Sequence, residues 1–225
     1  MLTLSKRLGV IAELVKSGSS VCDVGTDHGY LPAFLYLSGK CKSVVATDIR
    51  EKPLENARQN LKKLGAESVR LMLCDGLQEV NRDMADTVII AGMGGEVISG
   101  IIDRAEFVKD HSVELILQPM TAADSLREYL AQKGFEVERE IAVGENGKIY
   151  SVMTARFGGV PYELSDIRRL IGLLTPFTAE AKQYIQKQAK IVSKCASDLE
   201  CAIQKRAEYL HYKQIAEQLE MILRV

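Results

Sequence analysis

The residues able to do chemistry concentrate in one stretch, Asp23-Val24-Gly25-Thr26-Asp27-His28-Gly29-Tyr30-Leu31-Pro32. Gly25 follows an apolar run and precedes a helical one; without a Cβ it lets the chain turn sharply and lets a ligand approach the backbone. The spacing is G-x-x-x-G, not the G-x-G-x-x-G that offers helix N-terminal amides to a pyrophosphate. Asp27 stands where the middle glycine would be, and a carboxylate there repels a dinucleotide's phosphates. A phosphate-free adenosine cofactor that carries a sulfonium cation fits better.

Two further acids agree. Asp48 ends the second apolar run, 23 residues past Gly25, where a carboxylate can accept hydrogen bonds from both ribose hydroxyls. Asp75 follows the third, in Leu73-Cys74-Asp75-Gly76-Leu77, placed to accept from an adenine amino group. Nicotinamide enzymes share the first acid; the ordered set Gly25, Asp48 and Asp75 points instead to S-adenosylmethionine and a class I methyltransferase. The missing G-x-G-x-x-G argues against an NAD-linked oxidoreductase, and the intact set argues against a non-catalytic adaptor. The fourth run ends in Ala91-Gly92-Met93-Gly94-Gly95, where many amino methyltransferases carry Asn-Pro-Pro-Tyr or Asp-Pro-Pro-Tyr. Glycines cannot grip an exocyclic amine with side chains, but they leave room for a bulky planar acceptor and expose backbone carbonyls. The competing reading is a glycine turn needed only for helix packing.

The elements that must position these residues follow from periodicity. Ser20–Val24, Ser43–Thr47, Ser68–Leu73, Thr87–Ala91 and Glu114–Gln118 are short, continuously apolar runs, as strands buried on both faces of a parallel sheet require. Pro53–Leu64 and Thr121–Lys133 between them carry helical spacing, so the chain reads as a doubly wound α/β sheet. Phe135–Ile141 and Ile149–Ala155, separated by a loop containing Gly144 and Gly147, predict a hairpin that closes the sheet with an antiparallel edge strand. Ser5 is placed to cap a first helix whose apolar face is Leu8, Ile11, Ala12 and Val15.

After Gly158-Gly159-Val160-Pro161 the composition shifts, and Ala179 to Val225 contains neither Gly nor Pro. Ile185, Val192 and Leu199 recur every seven residues, with Ala189, Ala196 and Ile203 between them, which is the pattern of a coiled-coil seam. The register drifts near Lys205–Tyr212, and Ile215, Leu219 and Ile222 begin a new stripe, so a helical hairpin is expected. The division is therefore 1–160 for a cofactor-binding domain and 161–225 for a helical one. Residues 1–160 hold 19 basic against 22 acidic residues, and 161–225 hold 10 against 8, so a net charge of −1 conceals an acidic part and a basic tail. Lys187, Lys190 and Lys194 share one helix face, a solvated surface or a phosphate contact.

Composition excludes several classes. With 47% hydrophobic and 26% charged residues the chain is neither disordered nor fibrous, and no apolar run approaches the ~20 residues of a membrane span. Glu13 interrupts the N-terminal apolar stretch before a secretory segment can form, so a cytoplasmic location is expected. The five cysteines lie scattered, with no Cys/His set at zinc spacing. Buried, reduced thiols and no metal are expected.

These strings resemble the bacterial tRNA adenine-N1 methyltransferases that act on adenine 22 of the D arm, the TrmK family. The resemblance rests on Leu4-Ser5-Lys6-Arg7-Leu8, on Asp23 to Pro32, on Ala91 to Gly95 and on Leu115-Ile116-Leu117-Gln118-Pro119; the tail is similar only in character. It implies methyl transfer from S-adenosylmethionine to an adenine N1 of tRNA. Asp27 is then the candidate catalytic carboxylate, against the bland reading of a helix cap. Asp23, Gly25, Asp48, Ile49, Asp75, Gly76, Gly92 and Met93 are the candidate cofactor residues. Arg7, His28, Tyr30, Gly94 and Gly95 are the candidate substrate residues: Tyr30 to stack on an exposed base, Arg7 to meet phosphate or close over the cofactor. A tRNA-gripping tail and a monomer are expected, and deletion beyond about Pro161 is expected to abolish tRNA methylation while sparing cofactor binding. The alternative is a class I methyltransferase acting on a small molecule or protein, its helical hairpin serving dimerisation.

Overall fold

A computed structural model of the chain describes residues 2–201 and 203–224, without the side chain of Ile203, so that seam position lies outside the described residues. Ser5 caps α1 (Lys6–Leu14) as expected, its side chain accepting from the Leu8 N–H, and the helix buries Ile11, Ala12 and Leu14. Five strands, β1 (Ser20–Val24), β2 (Ser43–Asp48), β3 (Arg70–Leu73), β4 (Thr87–Gly94) and β5 (Glu114–Thr121), pair in parallel. Helices α2 (Tyr30–Leu37), α3 (Glu51–Leu64), α4 (Gly95–Asp103) and α5 (Ala123–Gln132) follow β1, β2, β4 and β5, while β3 leads to β4 without a helix. The hairpin β6 (Phe135–Glu145) and β7 (Lys148–Phe157) completes a seven-stranded sheet of order β3-β2-β1-β4-β5-β7-β6. The strand that opposes the others is β7, antiparallel to both β5 and β6, so the reversed strand sits one place in from the edge.

Successive strand residues serve two cores, which is why the runs are continuously apolar. Val88 and Ile90 join the cluster beneath α4 and α5, whereas Ile89 joins the one beneath α1, α2 and α3. The expectation of burial on both faces fails only for β3, an edge strand with Arg70 and Leu73 exposed. The strand order reverses between β1 and β4, so their C-terminal loops diverge and leave a crevice there, the usual ligand position in an open α/β sheet.

The tail contains α6 (Asp166–Ile171), α7 (Ala179–Leu199) and α8 (Arg206–Leu223). The hairpin turn comes earlier than the drift at Lys205–Tyr212 suggested: α7 ends at Leu199 and a 3-10 turn at Ile203–Lys205 leads into α8. The seam residues Ile185, Ala189 and Val192 pack with Ile215, Ala216 and Leu219 of α8 and with Leu170 and Ile171 of α6. The short α6, capped by Ser165, had no periodicity to announce it. No described helix is long and apolar enough to cross a membrane. Cys22 and Cys74 are buried and Cys201 is exposed, so the expected burial of thiols is only partial.

Candidate active site

Two adjoining clefts open at the C-terminal ends of β1 and β4. The larger, about 500 Å³, is lined by Gly25, Asp27, Asp48, Ile49, Asp75, Gly76, Gly92 and Met93, joined by Val97, Ile101 and Arg104. The smaller, about 320 Å³, is lined by Arg7, Leu8, Asp23, Gly25, Thr26, Asp27, His28, Tyr30 and Gly92. Gly25, Asp27, Ala91 and Gly92 border both. Of the candidates named from sequence, Gly94 and Gly95 line neither: a Cβ on Gly95 would lie 2.1 Å from the carbonyl oxygen of Ala122, so close packing of α4 against the turn before α5 accounts for that glycine.

Gly25 takes a left-handed conformation (φ +80°) while its N–H donates to the Thr47 carbonyl, which ties the β1 loop to the end of β2. A Cβ there would meet the Met93 methyl at 2.2 Å, so the Met93 side chain of β4 packs over the bare Gly25 backbone. Asp48 is 6% exposed; its Oδ1 accepts from the Arg50 N–H at 2.9 Å, and its other oxygen has no protein donor among the described residues. Ile49 beside it is 62% exposed, a large apolar side chain left open on a cleft. Asp75 pairs with Arg104 at 3.2 Å, a partner that sequence reasoning missed because nothing in the spacing of a helix C-cap arginine marks it.

On the second cleft Asp27 is exposed, with the His28 imidazole Nε2 3.2 Å from its Oδ2. The His28 and Tyr30 rings stack with centroids 5.7 Å apart, so Asp27, His28 and Tyr30 form one polar and aromatic wall. Arg7 reaches this wall from α1 but is paired with Glu145 of β6 at 3.2 Å and donates to Gln118 at 2.7 Å. Gln118 was legible as a polar residue ending an apolar strand; Glu145 was not. Asp23 is buried and opens on the second cleft rather than the first. Burial pushes its carboxyl up to about 6, against the lowering effect of a hydrogen bond from Thr26.

That value sets a pH dependence. The raised pKa means that the ligand-free protein binds a proton here that the unfolded chain gives up near 3.8, so this group's contribution to stability is lost as pH rises through about 6. The stability of the protein should therefore fall between about pH 3.8 and about pH 6 and level off above it, and Asp23→Asn should flatten that profile; scanning calorimetry across this range checks both.

The strand order, the crevice at its reversal and the strand-end acids of the first cleft define a class I methyltransferase fold. Residues 4–153 match the family model described as a methyltransferase domain. The tRNA (adenine(22)-N(1))-methyltransferase of Bacillus subtilis is 33% identical over 186 residues, which span 82% of this chain and 78% of that one. The crystal structure of a Streptococcus pneumoniae protein, described as a putative tRNA (m1A22) methyltransferase, superposes with a TM-score of 0.84 at 30% identity, covering 96% of this chain and 99% of that one. Its complex with S-adenosyl-L-methionine gives 0.79 over the same shares at the same identity. The chain belongs to the tRNA (adenine(22)-N(1))-methyltransferase family, as its strings suggested. No group of three or more His, Cys, Asp or Glu able to hold a metal occurs among the described residues.

Proposed function

We propose that this protein methylates N1 of adenine 22 in tRNA, with S-adenosylmethionine bound in the first cleft and the adenine in the second. The observation that carries this reading is the shared border: Gly25, Asp27 and Gly92 face both clefts, so two reactants lodged there would meet. The first cleft suits the cofactor. Asp48 has an oxygen free for ribose hydroxyls, Ile49 and Val97 offer apolar cover for a purine, and Asp75 with Gly76 closes the far end. The cofactor supplies an electrophilic methyl group. Adenine N1 attacks with an in-plane lone pair and carries no proton, so no side chain has to act as a strong base first. Methylation leaves the ring cationic, and the Asp27 carboxylate is placed to accept from the amino group and to stabilise that charge. Tyr30 and His28 provide a surface on which a base extruded from the folded tRNA can stack.

Residues 161–225 serve as the tRNA-gripping part and the protein works as a monomer in the cytoplasm. Supporting the grip on tRNA, Lys187, Lys190 and Lys194 are all exposed on α7, and none has an acidic partner within 4.0 Å among the described residues. Changing all three to Gln should weaken tRNA binding and reduce the slope of log affinity against log salt by about 2 to 3, leaving cofactor affinity unchanged; an unaltered slope removes the assignment. The reaction itself is tested with labelled S-adenosylmethionine and unmodified tRNA, mapping the reverse-transcription stop that N1-methyladenine causes. A stop in the D arm is the expected result; incorporation without such a stop places the methyl group elsewhere.

A further inference from the structure

At the junction of the clefts the β4–β5 register skips Gly92, pairing Ala91 with Gln118 and Met93 with Pro119. A residue left out of the ladder in this way has a backbone N–H in need of another acceptor. Here the acceptor is the side chain of Gln118: its Oε1 takes the Gly92 N–H at 3.1 Å. The same oxygen takes Arg7 Nη1 at 2.7 Å, while Gln118 Nε2 donates to the Pro119 carbonyl at 2.8 Å. Two donors on one oxygen and an acceptor for the nitrogen leave the amide a single orientation, and Gln118 is 0% exposed. Arg7 is fixed in turn, its backbone N–H and Nε both donating to Glu145, at 3.1 and 3.2 Å. The guanidinium that sequence offers to a phosphate therefore already faces a carboxylate and an amide of its own fold.

We infer that Gln118 and Arg7 are positioning residues for methyl transfer: through the Gly92 N–H they hold the bulged end of β4 that borders both clefts, and so set how the two reactants meet, without gripping the tRNA. This rests on the proposed methyl-transfer reading. Misplacement by about 1 Å of groups that align reactants costs on the order of 100-fold in rate, whereas loss of a phosphate contact costs affinity in a salt-dependent way.

The test uses the full-length protein and three variants. Arg7→Lys keeps the charge but lacks the fork that spans Glu145 and Gln118; Arg7→Gln removes the charge; Gln118→Met removes the acceptor at nearly constant volume. The expected result is a 10- to 100-fold loss of kcat for all three, with tRNA Kd, its salt slope and cofactor Kd within about twofold of wild type. Should Gln118→Met fail to fold, as judged by its melting curve, the Arg7 pair decides. The inference is overturned if Arg7→Lys keeps full kcat while Arg7→Gln lowers the salt slope by about one, which is the signature of a phosphate contact. It is equally overturned if the variants only melt earlier and turn over normally below their melting temperature. An inactive wild-type protein would instead overturn the methyl-transfer reading itself.

Discussion

Asp27→Asn lowers kcat on unmodified tRNA by about 100-fold, while S-adenosylmethionine Kd shifts less than about twofold. Asn preserves the volume and one acceptor oxygen, so the loss isolates the charge. The charge matters because the acceptor is neutral at the start and cationic at the end, and an interaction that grows along this coordinate lowers the barrier instead of merely tightening binding. Asp27 is well exposed and borders both clefts, and an adenine seated against Tyr30 would displace the water that screens it. His28 Nε2, 3.2 Å away, restricts the carboxylate's orientation. Single-turnover methyl transfer with saturating cofactor, alongside calorimetric cofactor binding, separates the two effects. A variant with full turnover would remove Asp27 from the chemistry, and helix capping would not account for it either, because Gly29 is the N-cap of α2 and no side chain bonds to that end. A parallel loss of cofactor affinity would place it on the first cleft alone.

The parts of this site that sequence discloses are those whose chemistry is local. Gly25 and Asp48 are readable because a strand end, a sharp turn and a carboxylate at a set separation must lie close in the chain. The parallel sheet is readable because Val88, Ile89 and Ile90 serve opposite faces and must all be apolar. The glycines of the fourth strand show the limit of this: Gly92 borders both clefts, whereas Gly95 only makes way for Ala122, and no local pattern separates them. Glu145 and Arg104 are undisclosed for another reason. Their roles come from partners 138 and 29 residues away, brought close only when the sheet closes.

The helical tail is tied to the sheet through a buried ion pair, so a truncation removes more than a grip on tRNA. Arg127 of α5, 2% exposed, pairs with Glu140 of β6 at 2.6 Å and donates to the carbonyls of Arg169 and Leu170 at the end of α6 and to the Tyr184 hydroxyl of α7. Glu140 uses its other oxygen for the Leu173 N–H. Burial alone would lower the guanidinium's pKa, but the Glu140 carboxylate and the Tyr184 hydroxyl outweigh it and push it up, so the cation persists at any working pH. Around this node Ala142 and Ile149 of the sheet pack with Leu174, Ala181 and Tyr184. A chain ending near Pro161 would thus expose an apolar seat and strip a buried charge of half its partners, and its loss of tRNA methylation would not separate grip from folding. Arg127→Met in the full chain is the sharper change. It leaves Glu140 buried without its counter-ion and should cost about 3–5 kcal/mol, the penalty for removing one member of a buried pair. For a chain of this size that is a fall in melting temperature of roughly 10 °C, readable by calorimetry. Adding Glu140→Leu should recover part of the loss, because a neutral buried pair no longer needs compensation. Below the melting point, tRNA KM should rise more than cofactor Kd, since the node seats the helices and lies outside both clefts. A variant that melts like wild type would mean the apolar seat alone holds the tail.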